Sequence, residues 1–170
     1  MSLKDLRNLS PLEAARVLVP VVHRVVTEIV IPRARIHDET DTGGWFMAYT
    51  NPLDPASKPE VIPLLGFRMG EGMPGRFEVW KGYAMEKAKR LGRLPEHFSS
   101  WQSRDEAMNQ FGGAIRVMGG ILSFSGLAEH YDEMAMLISA RELDLVGDGY
   151  DDKIIAISDN ARYREYKLAA

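Results

Sequence analysis

Four histidines offer themselves to a metal or to haem iron, the partners imidazole serves most readily: His23, His37, His97 and His130. No two have the His-x-x-x-His spacing that sets a pair of ligands on one helix face. His97 follows a helix in a loop and His130 borders an apolar helical stripe. These two are the candidate haem or metal ligands, and a half-buried structural role is the competing reading for each. Arg68, at a strand end, and Lys87, on a helix, are candidate anion partners. A guanidinium can grip a carboxylate with two nitrogens; the alternative for Arg68 is an ion pair with Glu71 or Asp132. Gly112, Gly113, Gly119, Gly120 and Gly126 either let a ligand approach the backbone or serve tight turns. Ser125-Gly126 stands at a helix start, where free amides and the helix dipole can hold a carboxylate or phosphate. Ser125, His130 and Asp132 can be written as a triad, but no nucleophile-elbow sequence surrounds Ser125. Asp148-Gly149-Tyr150-Asp151-Asp152 lacks the ligand ladder and distal glutamate of a calcium loop, and reads as a turn.

Several elements must position these groups. Ser10-Pro11-Leu12-Glu13 is a capping box opening a helix whose buried stripe is Ala14, Leu18, Val21, Val25 and Ile29. Pro20 should kink it, and it should end before Pro32. Residues 33–44 read as a polar connector. Strands are expected over 44–50 and 61–69, joined by the turn-rich 51–59, with Pro63 confined to an edge or a bulge. Pro74 opens a second helix with an apolar face of Phe77, Trp80, Ala84, Ala88 and Leu91, stopped by Gly92. Ser103-Arg104-Asp105-Glu106 suggests a capping box and a short helix to Gln110. Residues 111–125 read as two strands turning at Met118-Gly119-Gly120. A third helix follows with the stripe Leu127, Tyr131, Met134, Ala135 and Ile138. Lys153 to Ser158 reads as a last strand and Ala161 to Ala170 as a polar tail.

Composition narrows the function classes. A chain of 170 residues fits one domain with its own core. A net charge of −3 gives no broad basic field, so neither nucleic acid nor anionic lipid is an expected partner. With no cysteine, zinc-thiolate sites, Fe–S clusters, disulfides and cysteine nucleophiles are excluded. The N-terminus lacks a signal-peptide core, and the longest apolar stretch, 17–32, is too charged to span a bilayer. The expectation is a cytoplasmic protein.

Four short motifs, in order, resemble the GlcG/HbpS-like family. They are Leu65-Gly66-Phe67-Arg68-Met69-Gly70-Glu71-Gly72, Ala84-Met85-Glu86-Lys87-Ala88, Phe111-Gly112-Gly113-Ala114-Ile115, and Leu122-Ser123-Phe124-Ser125-Gly126 with Asp132-Glu133 and Ala135 after it. Arg90 stands where the family often has threonine. The resemblance implies an α+β, profilin-like fold: an antiparallel sheet, here about five strands, with helices packed on it. It places the domain at 1–145 and makes 146–170 an extension of strand plus tail. It implies a homo-oligomer, and some members resemble haem binders or haem-degradation accessories.

The expected function is a small-molecule-binding accessory protein. Its ligand would be haem, another tetrapyrrole or a small anionic metabolite, held by Arg68, Glu71, Lys87, Gly112, Gly113, Ser125, Gly126 and Asp132. The alternative is an enzyme acting on a small organic acid, with Arg68 holding the carboxylate and Asp132, Glu71 or His130 moving a proton. A third class is a structural subunit with Trp45, Trp80 and the C-terminal tail at interfaces.

Overall fold

The computed structural model describes residues 5–51 and 61–169. Except for Asn51, the turn-rich segment expected over 51–59 lies outside the described residues. The chain is α+β. Helix α1 (Pro11–Arg24) opens on the expected capping box, Ser10 and Glu13 each satisfying the other's amide. It does not end before Pro32. A π-helical segment, Val25–Val30, carries it into α2 (Ile31–Ile36). The reason lies in the proline itself. Its ring would strike the carbonyl four residues back in a regular helix. The wider π turn bonds the Ile31 amide to the Val26 carbonyl, five residues back, and relieves the clash.

Strands β1 (Thr42–Thr50) and β2 (Ile62–Glu71) form the first hairpin; β3 (Ala114–Val117) and β4 (Gly120–Ser125) form the second. They make one antiparallel sheet in the order β2-β1-β4-β3. Pro63 sits on the edge strand, beside the irregularity where Leu65 pairs with Ala48 but Pro63 pairs with Tyr49. An edge position costs proline no ladder hydrogen bond.

The sheet has a helix layer on each face. Helix α3 (Pro74–Gly92) covers one, packing Ala84, Ala88 and Leu91 against Met47, Tyr49, Ala114 and Ile121. The other face carries Phe46, Ala48, Leu122 and Phe124, buried under α1, α2 and α4 (Glu129–Glu142). Every residue of α4 from Tyr131 to Ala140 is buried, so α4 is a central helix wrapped on all sides rather than an amphipathic one.

What wraps it is the C-terminal segment. The strand expected over Lys153–Ser158 is instead helix α5 (Tyr150–Ser158), and the polar tail is helix α6 (Ala161–Ala169). The sheet therefore has four strands, not five. The run Ile154-Ile155-Ala156-Ile157 suits a strand by propensity, but Gly149 in the left-handed conformation opens a helix whose first turn holds Asp151 and Asp152. Ile154, Ile155 and Tyr163 join the same core as α1 and α4, so residues 150–169 are part of the folded unit rather than an appendage. The capping box also moves. Ser99 and Gln102 form it, ahead of the 3-10 turn Ser100–Ser103, while Asp105 caps a second such turn, Glu106–Met108. Among the described residues no helix is long and apolar enough to cross a membrane.

Candidate functional site

Lys87 lies on the sheet-facing side of α3, three residues after Ala84 and four before Leu91, so helical periodicity drives it inward. Asp132, in the first turn of α4, meets it. Lys87 Nζ donates to Asp132 Oδ2 at 2.8 Å and to the Phe124 carbonyl at 3.0 Å. Both side chains are 2% exposed. The Leu127 amide donates to Asp132 Oδ1 at 3.0 Å. Gly113 makes the meeting possible. With φ of +113° it leads into β3, and a Cβ there would lie 2.7 Å from Asp132 Cβ and 2.9 Å from Lys87 Nζ. Gly126 likewise has no room for a side chain, since its Cβ would fall 2.1 Å from the Gly43 carbonyl oxygen.

Above this pair a cavity of about 320 Å³ opens to solvent. It is walled by Trp80, Tyr83, Phe111 and Leu127, with Lys87, Asp132, Ser125, Glu129 and Asp41 supplying polar groups. Each acid has its own base. Arg104 pairs with Glu129 at 2.8 Å and Arg76 with Asp41 at 2.7 Å. Burial raises the Asp132 carboxyl above the ordinary carboxylate range, while the Lys87 ammonium and the Leu127 amide pull it back. Burial acts upward on Glu129 too, but the Arg104 hydrogen bonds and the Gly112 amide outweigh it, and its pKa falls below the ordinary value. Lys87 has three N–H donors, and two are committed inside the protein. The third, with the Ser125 hydroxyl, is what the cavity floor can offer an incoming oxygen.

Arg90 fixes the aromatic wall. It is buried, and donates to the Ser100 and Ser103 carbonyls at 2.8 Å and to the Phe111 carbonyl at 2.7 Å. A lysine cannot span these three acceptors with one nitrogen in the geometry of a guanidinium fork. Arg90→Lys is expected to cost about 2 kcal/mol of stability and to loosen Phe111, seen as faster amide exchange over 100–113 with α4 unchanged.

The site proposed from the sequence is brought together only in part. Lys87, Ser125, Gly126 and Asp132 line the cavity, and Gly113 is the backbone behind them. The Gly112 amide donates to Glu129 Oε1 at 2.7 Å. Glu71 instead lines an adjoining depression of about 300 Å³ that shares Asp41 and Trp80 with the cavity. Arg68 is exposed on β2, its guanidinium 5.7 Å from the Phe77 ring centroid, and is not among the cavity residues. It makes no ion pair with Glu71 or Asp132, since Lys87 takes Asp132. The amides entering α4 are largely spoken for. Asp132 holds that of Leu127, and Glu39 that of Ala128 at 2.9 Å.

Neither histidine faces the cavity. His130 stacks on Trp101, with centroids 4.6 Å apart, and its Nε2 contacts the Ser158 carbonyl at 3.1 Å. His97 is half-buried, and its Nδ1 has no partner among the described residues. No group of three or more acids and histidines among the described residues is arranged to hold a metal ion.

Two features escaped the sequence. Glu129 and Arg104, 25 residues apart, carried no local signal. Glu133 is fully buried next to Asp132, accepting from Ser99 Oγ at 2.8 Å, from Asn160 Nδ2 at 3.1 Å and from Ser158 Oγ. Burial pushes its carboxyl up to about 7, against those three hydrogen bonds. A contiguous run of small and apolar residues after it, rather than a stripe, was the one available hint that α4 is enclosed. No protein-family model matches the chain, nor does any curated protein or solved structure.

Proposed function

We propose that the chain is a small-molecule-binding accessory protein whose ligand is a small organic acid held in the cavity between α3 and the start of α4. One observation carries this: a fully buried lysine–aspartate pair forms the floor of an open, aromatic-walled cavity. A buried ion pair seldom repays its desolvation in stability, and apolar residues of similar volume would do as well for the fold. Its retention beneath a cavity points to use. The ligand's apolar part would lie against Trp80, Tyr83 and Phe111. Its carboxylate would accept the third Lys87 proton and the Ser125 hydroxyl.

The absence of histidine from the lining favours a small acid over histidine-ligated haem. A panel of small carboxylic acids should contain members that raise the melting temperature saturably. Haemin should give no saturable Soret change that depends on His97 or His130. A Soret band lost in His97→Ala or His130→Ala would overturn this reading in favour of haem.

A second reading is an enzyme acting on such an acid. It rests on the raised Asp132 carboxyl beside an amine, a proton acceptor and donor on one cavity wall. Loss of the α-proton signal of a bound acid in D2O would favour it. The profilin-like fold, membership of the GlcG/HbpS-like family, a cytoplasmic location and assembly as a homo-oligomer belong to the same proposal. They are supported by the four motifs and by the antiparallel order β2-β1-β4-β3, and sedimentation would measure the assembly.

A further inference from the structure

On the other side of the first turn of α4 lies a smaller pocket of about 160 Å³. Arg33, Ile36 and His37 from the end of α2, Tyr131 from α4, and Arg162, Glu165 and Tyr166 from α6 line it. Two guanidiniums converge here from different helices. Arg33 sits 5.0 Å from the Tyr166 ring centroid, and Arg162 lies 6.0 Å from that of Tyr131 and within 3.2 Å of His37 Nε2. One carboxylate, Glu165, answers them. It reaches Arg162 at 3.3 Å and His37 at 3.8 Å and is 58% exposed.

The independent observation is Tyr131. The residue is 5% exposed, yet its hydroxyl has no hydrogen-bond partner among the described residues. An orphaned buried hydroxyl costs about 1–3 kcal/mol, and such groups are rare unless something fills the place. We propose that this pocket is a second binding site, for a small tetrahedral oxyanion such as phosphate, with Arg33 and Arg162 as charge partners and the Tyr131 hydroxyl as a buried donor. Guanidinium forks suit phosphate oxygens, and the pocket has room for one such ion with water. Glu165 is the exposed gate that the ion displaces from Arg162. Because α6 supplies Arg162, Glu165 and Tyr166, the site exists only when the C-terminal helices are docked.

The test is an NMR titration of the full chain with inorganic phosphate at constant ionic strength, with acetate and chloride as controls. Phosphate should shift amides around Tyr131 and Arg162 saturably, and acetate and chloride should not. Tyr131→Phe removes a group with no internal partner. It should leave the melting temperature unchanged or raise it, while weakening phosphate binding by about tenfold. Arg162→Ala should weaken binding at least as much, and Glu165→Gln should strengthen it. The proposal is overturned if the shifts do not saturate, or if Tyr131→Phe and Arg162→Ala titrate like the unmodified protein. It is equally overturned if Tyr131→Phe lowers the melting temperature and leaves the phosphate response intact, since the hydroxyl would then serve an internal water.

Discussion

Asp132→Ala is expected to destabilise the protein by about 3–5 kcal/mol, because it strands the Lys87 ammonium in a site 2% exposed with only the Phe124 carbonyl for company. Lys87→Met should cost less, since the Asp132 carboxyl is already raised by burial and can take up a proton. The double variant Lys87→Met/Asp132→Ala should recover most of the loss, the pattern seen when both members of a buried pair give way to apolar groups. Urea unfolding of the four proteins closes the cycle. A double variant as unstable as the sum of the singles would mean that the pair holds the fold, and would remove the reason for assigning it a function.

The second large effect concerns Glu133. Glu133→Ala leaves donors on Ser99, Ser158 and Asn160 without their shared acceptor, and should cost about 3 kcal/mol. Glu133→Gln keeps an acceptor and separates charge from packing. The carboxyl is pushed up to about 7 in the folded protein, from an ordinary 4.5. Between those values the folded state holds the proton more tightly than the unfolded state. Its contribution is therefore complete below about pH 4.5 and is lost as pH rises through about 7, a fall of about 3 kcal/mol. Asp132 is raised as well and acts in the same direction, so the slope unique to Glu133 is the difference between the unmodified protein and Glu133→Gln. Chemical denaturation at pH 5 and pH 8 should show that difference shrinking at pH 5 and growing in favour of Gln at pH 8. Equal slopes would mean that Glu133 stays ionised while buried.

The sequence carried most of the architecture through local chemistry. Ser10 and Glu13, Pro74 and Gly92, and the Met118-Gly119-Gly120 turn all sit where caps and turns demand them. It misled where a neighbour outweighed a propensity. The isoleucines of α5 favour a strand until α4 gives them a surface to cover. Pro32 reads as a stop until a π turn makes space for it. The cavity was legible in fragments. Lys87, Gly113, Ser125 and Asp132 were all named, but Arg68 was placed with them when it stands two strands from β4, across β1, on the exposed edge strand. Glu129, Arg104 and the aromatic wall could not be paired from one dimension, because their contacts join loops and helices more than 15 residues apart. The histidines carried the most chemical promise and found structural duties.

The most direct test of the cavity is calorimetric titration of the acid that best stabilises the protein. It should be run against the unmodified chain and against Lys87→Met/Asp132→Ala, which removes the polar floor and is expected to stay folded. Binding to the former, weakened by about a hundredfold or more in the latter, is the result expected of a ligand anchored on Lys87. Equal affinity for a folded double variant would place the ligand elsewhere and contradict the assignment.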